Sequence, residues 1–280
     1  MHRLSRNLGR ALAALCVGIC LAAPPAAAQE GTLVPGQPVM IALGDSWAAG
    51  AGSTSGNDYV TRLHARLADD YGCLPATGER AAAKCKQLQL VDLAVGGATT
   101  PSLIAGQLPA ALALLEERNQ DANPRNDVEV ITLHIGGNDV VNPILGACLG
   151  GLTATCLTTI GAELAAYRAD LTTVLSALRE AAGPDTAIVI GTYDNPIGSC
   201  FLGSLPGAVA LGELALEGGG PVPAGLHDVM RQVAAQFDVL VASVYGQLVP
   251  PDWVGGSDCL HPRDSGYAKV VEAFAATLGA

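Results

Sequence analysis

Five short apolar runs recur along the chain, and the stretches between them carry helical patterning. The runs are Val39–Leu43, "LQLVDLAV" at 88–95, "VEVITLHI" at 128–135, "TAIVIGTY" at 186–193 and "VLVASV" at 239–244. Several have almost no polar interruption, which suits strands buried on both faces. Between the first two runs, Tyr59, Val60, Leu63 and Leu67 fall at helical spacing. Further helices are expected through "LIAGQLPAALALLEER", opened near Pro101 and Ser102, around 160–182, near 224–237, and over "PRDSGYAKVVEAFAATL" at the end. Strands alternating with helices predict an α/β three-layer sandwich around a mainly parallel sheet of about five strands. The Gly- and Cys-rich stretch after 135, the stretch with Pro196, Cys200 and Gly203, and "EGGGPVPAG" at 217–225 read as loops.

The N-terminus obeys a different grammar. "MHRLSRNLGR" is basic, "ALAALCVGICLAA" is apolar, and "PPAAAQE" follows. This order is that of a secretory signal peptide, residues 1–28, cleaved after Ala28. Its apolar core is too short to span a bilayer, and no later segment offers 18 uninterrupted apolar residues. Residues 29–280 then form one domain, exported to the extracellular space or periplasm without a stable membrane anchor. Cleavage removes Arg3, Arg6 and Arg10 and no acid, so the formal charge moves from −11 to −14. Such a surface disfavours nucleic acid and anionic membranes. A monomer is expected.

Cys16 and Cys20 leave with the leader, and six cysteines remain. An even count in an exported chain implies disulfides, with 15 pairings open to six cysteines. Spacing favours Cys73–Cys85 and Cys148–Cys156, which leaves Cys200–Cys259. No Cys-x2-Cys or clustered Cys/His pair suggests a zinc site, and neither metal nor cofactor is expected.

Strand ends carry the chemistry. The first run stops at Gly44-Asp45-Ser46, the second leads to Gly96-Gly97, the third to Gly137-Asn138-Asp139, and Asp258-x-x-His261 precedes the last helix. Ligands of open α/β sheets bind beyond the carboxyl ends of the strands. Ser46 alone would pass as a helix cap. With the other blocks it reads as a nucleophile, His261 as its base, and Asp258 as the acid that orients the imidazole. The backbone N–H groups of Ser46 and Gly97 and the Asn138 amide would hold an oxyanion.

These four blocks, in this order, resemble the SGNH (GDSL) family of serine esterases and lipases. The resemblance spans nearly all of the mature chain and implies a flavodoxin-like sheet and acyl-ester hydrolysis through Ser46, with a small-molecule or lipid ester as substrate. The cysteine-bearing loops "GACLGGLTATC" and "NPIGSC" and the "HPRDSGY" ending resemble its secreted, disulfide-bearing branch. Two departures bear on pocket shape and loop freedom: Gly96 stands where Ser is common, and Trp47 replaces the commoner Leu or Tyr.

Other readings have less support. Asp45 and Asp139 read as loop-fixing carboxylates, His64 as a surface residue, His134 as a core imidazole. His227 beside Asp228 could form a second base–acid pair, but no serine at a strand end accompanies it. No Gly-x-Ser-x-Gly elbow or Gly-x4-Gly-Lys occurs. The alternatives to an esterase or lipase are a carbohydrate O-deacetylase with the same machinery and a non-catalytic exported binding protein of the same fold.

Overall fold

The computed structural model describes residues 33–70, 88–148 and 150–280. The expected signal peptide and the Cys73–Cys85 pair lie outside these residues. Strands β1 (Val39–Gly44), β2 (Gln89–Asp92), β3 (Val128–His134), β4 (Ala187–Gly191) and β5 (Leu240–Ala242) form one parallel sheet in the order β2-β1-β3-β4-β5. That order reverses direction at β1, so a crevice opens beyond the carboxyl ends of β1 and β3. β1 is buried at every residue, as its unbroken apolar run requires, and Met40↔Val130 to Gly44↔His134 set its register on β3.

Helices cover the two faces: α1 (Tyr59–Asp70), α2 (Thr100–Ala105), α3 (Gln107–Asn119), α4 (Gly137–Cys148), α5 (Ala154–Ala182), α6 (Ala208–Glu217), α7 (Leu226–Ala234) and α8 (Asp264–Leu278). Side chains such as Ile131, Leu133, Leu171 and Phe274 are wholly buried between the layers. Each such burial contributes about 1.5–3 kcal/mol of hydrophobic free energy. β6 (Trp253–Gly255) and β7 (Asp258–Pro262) make a separate antiparallel hairpin before α8.

The structure corrects two local expectations and adds one element. The single helix expected over 103–118 is two, because the chain bends at Gly106, whose φ of −120° and ψ of −63° leave the helical region. A capping box of Thr99 and Ser102 starts the first. The expected loop after β3 is the helix α4, which carries Pro143 inside it and so lacks one i→i−4 backbone bond there. Between the two expected loops, where no element is expected, stands α6, whose apolar residues line a cavity.

Candidate active site

The first candidate residue owes its position to a glycine. Gly44 has φ +145°, and a Cβ there would sit 2.2 Å from the His134 carbonyl oxygen. Only glycine lets β1 run this close to β3 as it turns out of the sheet. The Gln107 side-chain amide brackets the turn, accepting from Gly44 N–H and donating to Gly44 O, both at 2.8 Å. Asp45 N–H then donates to His134 O, and Asp45 Oδ1 accepts from Trp47 N–H. Ser46, held between them, is half-buried at the rim of the crevice.

The β6–β7 hairpin delivers the partners from the far end of the sequence. His261 Nε2 lies 2.9 Å from Ser46 Oγ, and His261 Nδ1 lies 2.9 Å from Asp258 Oδ2. A carboxylate only accepts, so Nδ1 carries the proton and Nε2 faces the serine hydroxyl as an acceptor. Partial burial opposes the charge on Asp258. Hydrogen bonds from the His261 ring and from the Leu260 and His261 N–H groups outweigh it and hold the carboxyl below its usual range.

Three devices brace the hairpin against the Ser46 turn. Trp47 Nε1 donates to Leu260 O at 2.9 Å. A disulfide joins Cys259 in β7 to Cys200 in the loop after β4. Gly52 passes so close that a Cβ would lie 2.5 Å from Pro262 O and 3.0 Å from His261 Cβ. A second disulfide, Cys148–Cys156, links the end of α4 to the start of α5.

The two remaining candidates sit on neighbouring strand ends. Val95 N–H donates to Gly44 O, tying the loop after β2 to the residue that starts the Ser46 turn. Within that loop Gly97 has φ +78°, a conformation that side chains other than glycine rarely adopt. Asn138 is in the first turn of α4, and its Nδ2 donates one hydrogen to Ala98 O at 3.0 Å. The amide has a second hydrogen to give. Asp139 accepts from Thr100 N–H and so anchors α4 to α2.

Asp45, read as a loop-fixing carboxylate, is 2% exposed and also accepts from Tyr193 Oη at 2.5 Å. Burial raises its pKa to about 7, although the bonds from Tyr193 and Trp47 pull the other way. Gln107 and Tyr193 were not singled out at all. Their only signal is a polar group just before an apolar helical stretch and at the end of an apolar strand. His134 is fully buried with Nε2 3.1 Å from Thr192 O. His64, expected on the surface, is partly buried against Leu88 O. His227 is buried; its Nε2 accepts from Tyr193 N–H, so its Nδ1–H donates to Glu217 Oε1, and Asp228 caps its own helix instead.

Beside Ser46 opens a cavity of about 530 Å³, walled mainly by α4, α6 and the loop between β4 and α6. Among the described residues no group of three or more His, Cys, Asp or Glu could hold a metal ion. No helix among them is long and apolar enough to cross a membrane.

Residues 42–269 match the model of the GDSL-like lipase/acylhydrolase family, which is most of the chain. The chain belongs to that family. No curated protein matches it, but solved structures of GDSL-type hydrolases share its architecture. An extracellular lipase from Streptomyces rimosus is 19% identical, with TM-score 0.54 over 86% of this chain and 99% of its own. The lipase Lip_vut3 from a goat rumen metagenome is 18% identical, with TM-score 0.60 over 86% and 97%. A catalytic mutant of the acetylxylan esterase Axe2 from Geobacillus stearothermophilus is 15% identical, with TM-score 0.52 over 89% and 97%. These likenesses show the fold of a GDSL-like hydrolase.

Proposed function

We propose that this GDSL-like hydrolase is an exported serine esterase or lipase that cleaves carboxylic esters through an acyl-Ser46 intermediate. The unbroken series Ser46 Oγ, His261 Nε2, His261 Nδ1, Asp258 Oδ2, with 2.9 Å at both junctions, carries the proposal. Nucleophile, base and orienting acid within hydrogen-bond reach constitute the geometry of acyl transfer.

In the first step Ser46 Oγ bonds to the acyl carbon while its proton passes to His261 Nε2. The carbonyl π electrons move onto oxygen. Asp258 stabilises the imidazolium without taking the proton. The oxyanion is held by the Ser46 and Gly97 N–H groups and the free hydrogen of Asn138. Asn138 stands in the first turn of α4, where the positive end of the helix dipole favours the developing negative charge. The intermediate collapses, the ester C–O bond breaks, and the leaving alkoxide takes the proton from His261. Water then repeats the sequence, giving its proton to His261 and freeing the acid and Ser46.

Export rests on the basic-apolar-Ala-x-Ala start and on the two disulfides in the described residues. The apolar walls of the cavity favour an acyl chain over a carbohydrate as the group bound beside Ser46. The test is a panel of esters from acetate to palmitate, with an acetylated polysaccharide, run on the purified mature protein and on Ser46→Ala. Hydrolysis that disappears in Ser46→Ala is expected. Equal inertness of both proteins on every substrate would overturn the esterase in favour of the binding protein.

A further inference from the structure

We propose that the cavity is an acyl-chain channel laid along α4, with Ile144 as the residue that sets how many carbons of the chain it reads. The inference rests on the assignment of Ser46 as the acylated residue and names the substrate class: esters of aliphatic acids of about twelve carbons.

Asp45 and Asn138 line the cavity with Ser46, and Asp194 and Asn195 line it from the loop after β4, where Leu248 N–H and Glu213 engage them. Every α4 and α6 residue that lines it beyond Asn138 is apolar or glycine. On α4 the lining positions include Val141, Ile144 and Cys148, successive turns of one face. Leu211 and Ala215 of α6 oppose them. A wall of this kind has nothing to offer a sugar hydroxyl, and it gains from every methylene removed from water.

Direction follows from the chemistry. The leaving alcohol must face His261, which returns its proton, so the acyl chain takes the other side of the tetrahedral carbon. The cavity begins at Ser46 and Asn138 and is walled by α4 and α6, while His261 does not line it. Length follows from the helix. From Asn138 to Cys148 the α4 axis advances about 15 Å, at about 1.5 Å per residue. An all-trans chain with C–C bonds of about 1.5 Å and angles near 111° advances about 1.25 Å per carbon. About twelve carbons therefore span the wall, and Ile144 stands level with about the seventh. At the far end Cys148 is bonded to Cys156 of α5, which fixes the last turn of α4, and Gly151 and Leu152 line the cavity just beyond it.

The experiment measures kcat/KM for one alcohol esterified to saturated acids from two to sixteen carbons. A reciprocal series joins one short acid to alcohols of increasing length. Wild type should gain with acyl length, by up to roughly fourfold per methylene, the equivalent of about 0.8 kcal/mol, and level off near twelve carbons. The alcohol series should be nearly flat. Ile144→Trp should bring the break down to about seven or eight carbons and cut the laurate-to-butyrate ratio at least tenfold. Ile144→Asn should lower the same ratio without added bulk. Should neither variant fold, laurate inhibition of butyrate hydrolysis by wild type, competitive and at least tenfold stronger than inhibition by butyrate, supplies the readout. An acyl profile that is flat or greatest at acetate, or a dependence on alcohol length instead, overturns the channel while Ser46-dependent hydrolysis leaves the esterase standing. Hydrolysis unchanged in Ser46→Ala, or absent on every ester, overturns both.

Discussion

Trp47 Nε1 donates to Leu260 O across 2.9 Å, joining the residue after Ser46 to the residue before His261. These positions are more than 200 residues apart in sequence, and this bond couples the two halves of the candidate triad. The indole also packs against His134, Tyr193 and Trp253. Trp47→Phe keeps an aromatic ring but removes the donor and part of the ring volume packed in this buried cluster. The expected stability loss is about 1–3 kcal/mol, whereas kcat should fall roughly tenfold, since small misplacements of a base are costly. Thermal melts beside steady-state kinetics check the prediction; a kcat equal to wild type would show that the hairpin needs no such brace.

Asn138→Ala should lower kcat on the order of 10²–10³-fold, the usual loss for one oxyanion donor. Ser46→Ala and His261→Ala should fall further. The amide also ties α4 to Ala98, so circular dichroism must accompany the kinetics. A folded Asn138→Ala protein with wild-type kcat would remove this residue from the site.

Cys259 is two residues from His261 and bonded to Cys200, which closes a loop with a sequence separation of 59. In the chain-entropy account a loop of that length is worth about 4 kcal/mol. Cys200→Ser with Cys259→Ser should therefore lose activity at temperatures where far-UV dichroism still reports native structure. Cys148→Ser with Cys156→Ser serves as the comparison, because that bond braces α4 and leaves the hairpin alone. Matching activity loss in the two pairs would mean that the effect is global.

Asp45 carries a pH signature. Burial raises its pKa from 3.8 to about 7, so the folded state prefers the protonated acid more than the unfolded chain does. That contribution is complete below pH about 4 and is lost as pH rises through about 7, with a magnitude up to about 4 kcal/mol. Asp45→Asn keeps an acceptor for Trp47 N–H and cannot ionise. Its unfolding free energy should vary less between pH 4.5 and 8 than that of wild type. Urea titrations at both values give the comparison, and parallel pH slopes would show that Asp45 stays ionised.

The five apolar runs and the helical spacing between them were enough to specify a parallel α/β sandwich, because strands buried on both faces read as unbroken apolar runs and helices buried on one face repeat at helical spacing. The Ser46, Asn138 and Asp258-x-x-His261 blocks were legible for a related reason. Each follows a strand or precedes a helix, and chemistry at strand ends needs small residues and turn formers there. What local sequence does not record is which distant groups meet. Nothing near Gln107 announces that its amide brackets Gly44, and nothing near Tyr193 announces that its hydroxyl reaches Asp45. The apolar residues of α4 read as loop and those of α6 gave no element, since residues that line a cavity are held by tertiary packing and satisfy no strong local pattern. Sequence alone determined the architecture and marked the candidate groups at the strand ends, through apolar patterning and turn chemistry. Only the tertiary structure decided the bracing of the His261 hairpin and the apolar lining of the cavity beside Ser46, because both arise from contacts between segments far apart in the chain.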